Sequence, residues 1–156
     1  MDCSEIYFCS DKSKIQLDSL QELFRLGAFW ARERSQEDLK IAIDNSDPVV
    51  CVWEENKLIG FARATSDCIY RGTIWDVVVH PEYQGAGIGR KLVQTVLAHP
   101  KLNRVERVYL MTTHKQSFYK RIGFQENETT TMILYKGAFV PNFPTLDPEE
   151  SNTVIV

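Results

Sequence analysis

The stretch Trp75-Asp76-Val77-Val78-Val79-His80-Pro81-Glu82-Tyr83-Gln84-Gly85-Ala86-Gly87-Ile88-Gly89-Arg90 changes character twice. It begins as a β-branched run, breaks at His80-Pro81 and passes through Gly85, Gly87 and Gly89. Apolar residues then recur at helical spacing, at Ile88, Leu92, Val93, Val96 and Leu97. A glycine loop between a strand and a helix lets successive main-chain N–H groups converge with no side chain in the way. The helix start adds unpaired N–H groups and the positive end of its dipole. Such a mouth suits a pyrophosphate, and Arg90 and Lys91 add positive charge beside it. Glycines that only turn the chain would look the same one by one. The flanking strand and helix favour the phosphate reading. Neither the Gly-x-Gly-x-x-Gly pattern of dinucleotide enzymes nor the Gly-Lys-Ser/Thr of a P-loop occurs.

Outward from this loop the chain alternates between the two periods. Upstream, Ile6 to Cys9 reads as a short strand. Leu17, Leu20, Phe24 and Ala28 read as a helix, with Leu23 and Leu26 widening its apolar face. Ser35 and Asp38 resemble a capping box opening a second helix over Gln36 to Ile43. Val49 to Trp53 and Leu58 to Ala64 make a hairpin, and Thr73 to Val79 is the next strand. Downstream, Gly87 to Ala98 is the helix described above, and Arg107 to Met111 is a strand. Lys115 to Ile122 is a short helix stopped by Gly123, and Met132 to Tyr135 is a last strand. This mixed order predicts an α/β (α+β) sheet with helices packed on it. One domain is expected over 1–136, followed by an irregular tail over 137–156.

A chain of 156 residues with 44% hydrophobic and 25% charged residues builds one core. Its net charge of -3 argues against nucleic acid as a partner. The four cysteines form no CxxC pair and no Cys/His cluster, so no metal site is expected. Cys51 lies in an apolar run and reads as a buried hydrophobe. Asp2, Glu5 and Asp11 interrupt any apolar leader, and no run of 18 apolar residues occurs. The expectation is a soluble cytoplasmic protein with no membrane partner.

Two segments carry a family resemblance. Gln84-Gly85-Ala86-Gly87-Ile88-Gly89 resembles the Gln/Arg-x-x-Gly-x-Gly/Ala signature of the GCN5-related N-acetyltransferases (GNAT). Phe118-Tyr119-Lys120-Arg121-Ile122-Gly123-Phe124 is similar to that family's Tyr-x-x-x-Gly-Phe segment. The general look is similar to the bacterial and plastid group that includes serotonin N-acetyltransferase-like proteins. The resemblance implies a mixed central sheet of about six or seven strands, flanked by about four helices and splayed between its fourth and fifth strands. It implies acetyl-CoA as cosubstrate in that gap. The Val77, Val78 and Val79 main chain would hold the pantetheine and thioester. Gln84, Gly85, Ala86, Gly87, Ile88, Gly89 and Arg90 would hold the pyrophosphate. Homodimers are common in the family and are a further expectation.

The implied reaction is attack of a primary amine, on a small molecule or a peptide, on the thioester. An alkyl ammonium of pKa about 10.4 is neutral in roughly one molecule in 2,500 at pH 7, a cost of about 4.6 kcal/mol. Asp76, on the strand, and Glu82 are the acids nearest the loop. Asp76 is expected as base or substrate anchor, the other reading being a plain hydrogen-bonded acid. Tyr119 is expected to give a proton or hydrogen bond to the departing thiolate, unless it only packs with Phe118. His80, His99 and His114 read as solvated or capping residues. Phe29, Trp30 and Tyr70 are either core aromatics or the lining of an acceptor pocket. A chain that binds acetyl-CoA without turnover, as a sensor or interaction module, is the alternative.

Overall fold

The computed structural model describes residues 5–128 and 130–135. The chain divides into two compact units, Met1–Phe124 and Gln125–Val156. In the first, strands β1 (Ile6–Cys9), β2 (Val49–Glu54), β3 (Lys57–Ser66), β4 (Arg71–Val79) and β5 (Arg107–Tyr109) form one sheet in the order β1-β2-β3-β4-β5. The first four pair antiparallel and β5 pairs parallel to β4. The helices are α1 (Leu17–Gly27), α2 (Gln36–Asp44), α3 (Ile88–Ala98) and α4 (Gln116–Lys120).

Both faces of the sheet are covered, which is why β2 and β3 read as nearly continuous apolar runs. Along β2, Val49, Cys51 and Trp53 enter one core with Leu20, Leu23 and Phe24 of α1 and Leu39 and Ile43 of α2. Val50 and Val52 enter the other, with Ile88, Leu92, Val93 and Val96 of α3. This is the period-2 alternation of a strand. Phe24 meets Phe61 edge to face at 5.5 Å. Each such side chain contributes about 1.5–3 kcal/mol on burial. The Ser35 hydroxyl accepts from the Asp38 N–H at 3.1 Å and caps α2 as its residues predicted.

Four expectations change. Among the described residues the sheet has five strands, not six or seven. Met132–Tyr135 carries no strand, and Met132 and Leu134 are 97% and 82% exposed. The first compact unit closes at Phe124, before the expected boundary at 136. Leu26 faces solvent, because it falls outside the stripe of Leu20, Leu23 and Phe24. The expected tail over 137–156 lies outside the described residues.

Candidate active site

β4 and β5 share only the register Arg71↔Arg107 to Thr73↔Tyr109. β4 continues to Val79 with no β5 beside it, so the sheet opens between them. On its other edge β4 carries a bulge. Phe61 pairs with Val78 and Arg63 with Trp75, leaving Ala62 opposite both Asp76 and Val77. Asp76 sits at φ 54, left-handed backbone that costs a non-glycine residue about 1–2 kcal/mol and that Asp tolerates better than most.

The bulge sets which main-chain groups face the gap. His80 N–H donates to the Ile59 carbonyl at 2.8 Å. Direction alternates along a strand, so Val78 also points its N–H and C=O to β3. Val77 and Val79 therefore point theirs to the open side. The Val79 carbonyl there accepts from the Gln84 side chain at 3.1 Å, which ties the loop back onto the strand.

The loop is braced from below. Pro81–Tyr83 forms a 3-10 turn capped by His80, whose Nδ1 accepts from the Glu82 N–H at 3.3 Å. The Tyr83 hydroxyl donates to Glu54 at the end of β2. Lys57 lies 5.0 Å from the Tyr83 ring centre and 3.2 Å from Glu82. The hairpin β2–β3 thus holds the turn from which the glycines start.

Gly85 and Gly87 then take φ 83 and φ 84, and a Cβ at either would meet nothing within 4 Å. The space before them is open. Gly87 is the N-cap of α3 and makes no side-chain cap bond, so the first N–H groups of the helix face that space. Ala86 and Arg90 are exposed, whereas the Ile88 side chain is buried in the α3 core. An open, glycine-walled helix mouth at the end of a splayed strand fits a linear ligand with a pyrophosphate at one end. Among the described residues no cluster of three or more His, Cys, Asp or Glu side chains could hold a metal, and no helix is long and apolar enough to cross a membrane.

α4 closes this side. A Cβ on Gly89 would lie 3.4 Å from the Phe118 ring, so α4 packs against the mouth of α3. Tyr119 follows Phe118, with ring centres 4.9 Å apart, and sits 5.8 Å from Phe124. Burial pushes the Tyr119 phenol up to about 12.

Asp76 is not a free acid. Its Oδ2 accepts from Arg63 Nε at 2.7 Å and from Arg34 Nη1 at 2.9 Å, and its side chain is 6% exposed. Removing one partner of such a buried pair costs about 3–5 kcal/mol. Arg34 and Arg63 were not singled out in the sequence, because their separations from Asp76, 42 and 13 residues, match no local pattern. Glu82 is exposed and engaged by Lys57. His99 Nδ1 accepts from the Lys101 N–H and His114 is exposed. Phe29, Trp30 and Tyr70 are 64%, 49% and 61% exposed, so they are not core aromatics.

Known proteins share this chain's pattern. It is 38% identical over 122 residues to ycf52 of Gracilaria tenuistipitata var. liui, described as an uncharacterized N-acetyltransferase; the match covers 75% of this chain and 66% of that one. It is 40% identical over 115 residues to a ycf52-like protein of Prochlorococcus marinus, covering 70% of this chain and 63% of the relative. The chain thus spans about two thirds of the length of these relatives. A GNAT-family structure from Xanthomonas campestris pv. campestris superposes with a TM-score of 0.75 at 27% identity, covering 85% of this chain and 94% of that one. Residues 17–124, which include the bulged strand, the glycine loop and α4, match the Acetyltransferase (GNAT) family, and the chain belongs to it.

Proposed function

We propose that the protein is an N-acetyltransferase that takes acetyl-CoA as donor and a primary amine, on a small molecule or a peptide, as acceptor. The observation that carries this reading is the β4–β5 opening, which runs from the gap-facing Val77 main chain to the open mouth at Gly85 and Gly87. The N–H groups from Gly85 to Arg90 bind the pyrophosphate, with the Arg90 guanidinium exposed beside them. Gln84 acts indirectly, by fixing the loop on the Val79 carbonyl. Val79 and Val77 offer main-chain groups to the pantetheine, and Val78 holds the strand by its buried side chain.

In the reaction the Val77 N–H donates to the thioester oxygen, where negative charge develops as the amine nitrogen attacks the carbonyl carbon. The tetrahedral adduct collapses with cleavage of the C–S bond. The amide keeps the acetyl group, and the thiolate leaves. The ammonium proton goes to water, because the Asp76 carboxylate is held by two arginines. Tyr119 donates a hydrogen bond to the leaving sulfur. Complete proton transfer from a phenol at about 12 to a thiolate of ordinary pKa would run uphill by about 5 kcal/mol. A hydrogen bond that strengthens as sulfur gains charge avoids that step.

The engaged Asp76 also gives footing to the second reading, a chain that binds acetyl-CoA without turnover, since the carboxylate next to Val77 in the strand is held by two arginines. One experiment separates the two. Purified protein is titrated with acetyl-CoA by calorimetry, and thiol release is followed across arylalkylamines, polyamines, amino acids and a peptide N-terminus. Binding with amine-dependent release supports the enzyme. Binding without release from any amine supports the sensor, and no binding removes both.

A further inference from the structure

Resting on that reading, we propose that Asp76 is a positioning residue: gripped by Arg34 and Arg63, it locks the β4 bulge that turns the Val77 N–H into the gap.

The bulge is needed for that aim. Ile74 and Val78 are four residues apart, so in an unbroken strand they would share a face. They lie in opposite cores instead, Ile74 with α3 and Val78 with α1 and α2. One extra residue has therefore shifted the strand by a step, and that residue is at Asp76–Val77. Removal of the bulge would put Val77 in the main-chain phase that Val78 has now, facing β3.

The grip is built from two directions. Arg63 comes from β3, and its Nη1 also donates to Ser46 Oγ at 3.1 Å. Ser46 is 1% exposed, and its hydroxyl donates in turn to the Ala42 carbonyl of α2 at 2.6 Å. Arg34 comes from the segment joining α1 and α2. It lies 5.9 Å from the Phe24 ring centre, and its carbonyl accepts from Gln21 of α1 at 3.1 Å. Arg63 lies 5.8 Å from the ring centre of Trp75, whose Nε1–H donates to Thr65 Oγ1 at 2.9 Å. The strained residue at φ 54 is thus the hub of a net that reaches both helices and the neighbouring strand. The same net sets the connecting segment, with the exposed Phe29 and Trp30, against β4. Gly27, at its other end, approaches Val78 and Val79, where a Cβ would lie 2.9 Å from Val78 Cγ1.

The test uses Arg34→Met, Arg34→Lys, Asp76→Asn and the Arg34→Met/Asp76→Asn double variant. Arg34 is 36% exposed, so Arg34→Met keeps the question open even where Asp76→Asn fails to fold. The expected result is a fall in kcat of about ten- to a hundredfold for Arg34→Met and Asp76→Asn, with coenzyme A affinity held and the pH profile unmoved. Arg34→Lys recovers part of the rate, and the double variant loses no more than the worse single one. In amide NMR spectra, the Ala62 and Val77 signals shift or broaden in Arg34→Met. Additive losses, a displaced pH profile in Asp76→Asn, or wild-type kcat with unmoved Val77 and Ala62 signals would overturn the lock. A wild-type protein that acetylates no amine removes the parent reading alone. The NMR signals then decide the lock, a perturbed Val77 supporting it and an unperturbed one sinking it.

Discussion

Gly87→Ala separates the cradle from every other role of the loop. Gly87 has φ 84 and ψ -1, and a Cβ there meets nothing within 4 Å. The substitution therefore causes no clash in the free protein. Its cost in stability is the left-handed backbone of an L-residue, about 1–2 kcal/mol. For a domain of this size that lowers Tm by about 2–8 °C. Its cost in binding is different, because the methyl group projects into the space where phosphate must approach the α3 mouth. Loss of one N–H contact to a charged oxygen is about 1.5–3 kcal/mol, so coenzyme A affinity should fall about ten- to a hundredfold. Gln94→Gly, at an exposed position in the same helix, costs about 1 kcal/mol and is the matched control. Calorimetry gives Kd and scanning fluorimetry gives Tm. Gly87→Ala with reduced Tm and wild-type Kd would show that the phosphates bind elsewhere.

Tyr119→Phe should lower kcat about ten- to a hundredfold with coenzyme A affinity unchanged; equal rates would take the hydroxyl out of the mechanism. The Tyr119 phenol at about 12 stays neutral through pH 10, so kcat should show no falling limb from it below that pH. Its folded-state value lies above the unfolded one of about 10, so the stability linked to it is complete below pH 10 and is lost as pH rises through 12. Tyr119→Phe should flatten that alkaline decline in Tm, and an identical decline would refute the assignment. Burial likewise pushes the Cys51 thiol up to about 12, so iodoacetamide at pH 8 should modify the half-buried Cys9 and Cys68 well before Cys51; peptide mass spectrometry would detect the reverse order. Phe61→Ala, at a site 1% exposed against Phe24, should cost about 3–5 kcal/mol in urea unfolding, and a loss under 1 kcal/mol would mean the two rings do not anchor the core.

The elements were legible wherever one period ran long enough. β1 is Ile6–Cys9 as read, and α3 starts at Ile88, one residue after the expected Gly87. Serine capping of α2 and the glycine loop were legible because each depends on neighbours in the chain. The bulge was not. Val77-Val78-Val79 is apolar throughout, and a strand buried on both faces hides the step at which its alternation reverses. The ion pairs of Asp76 were hidden for a related reason: they join elements that only the folded sheet brings together. Met132–Tyr135 misled because a short apolar run satisfies strand composition, while a strand also needs a partner that composition does not name. α4 came out shorter than Lys115–Ile122, since Lys115 caps it at φ -115 and beyond Arg121 the bonding tightens, with Ile122 and Gly123 donating to the carbonyls three residues back.

The half-twist stored at Asp76 gives β4 an unusual kind of intolerance. Apart from those at Asp76, substitutions between Ile74 and Val78 change volume or charge and can be absorbed locally. Deleting one residue there would be a frameshift in three dimensions: every later side chain of the strand would change face, Val78 leaving the α1–α2 core for the α3 side and Val79 moving the opposite way. In this segment, Asp76 aside, the number of residues is held more tightly than their identity.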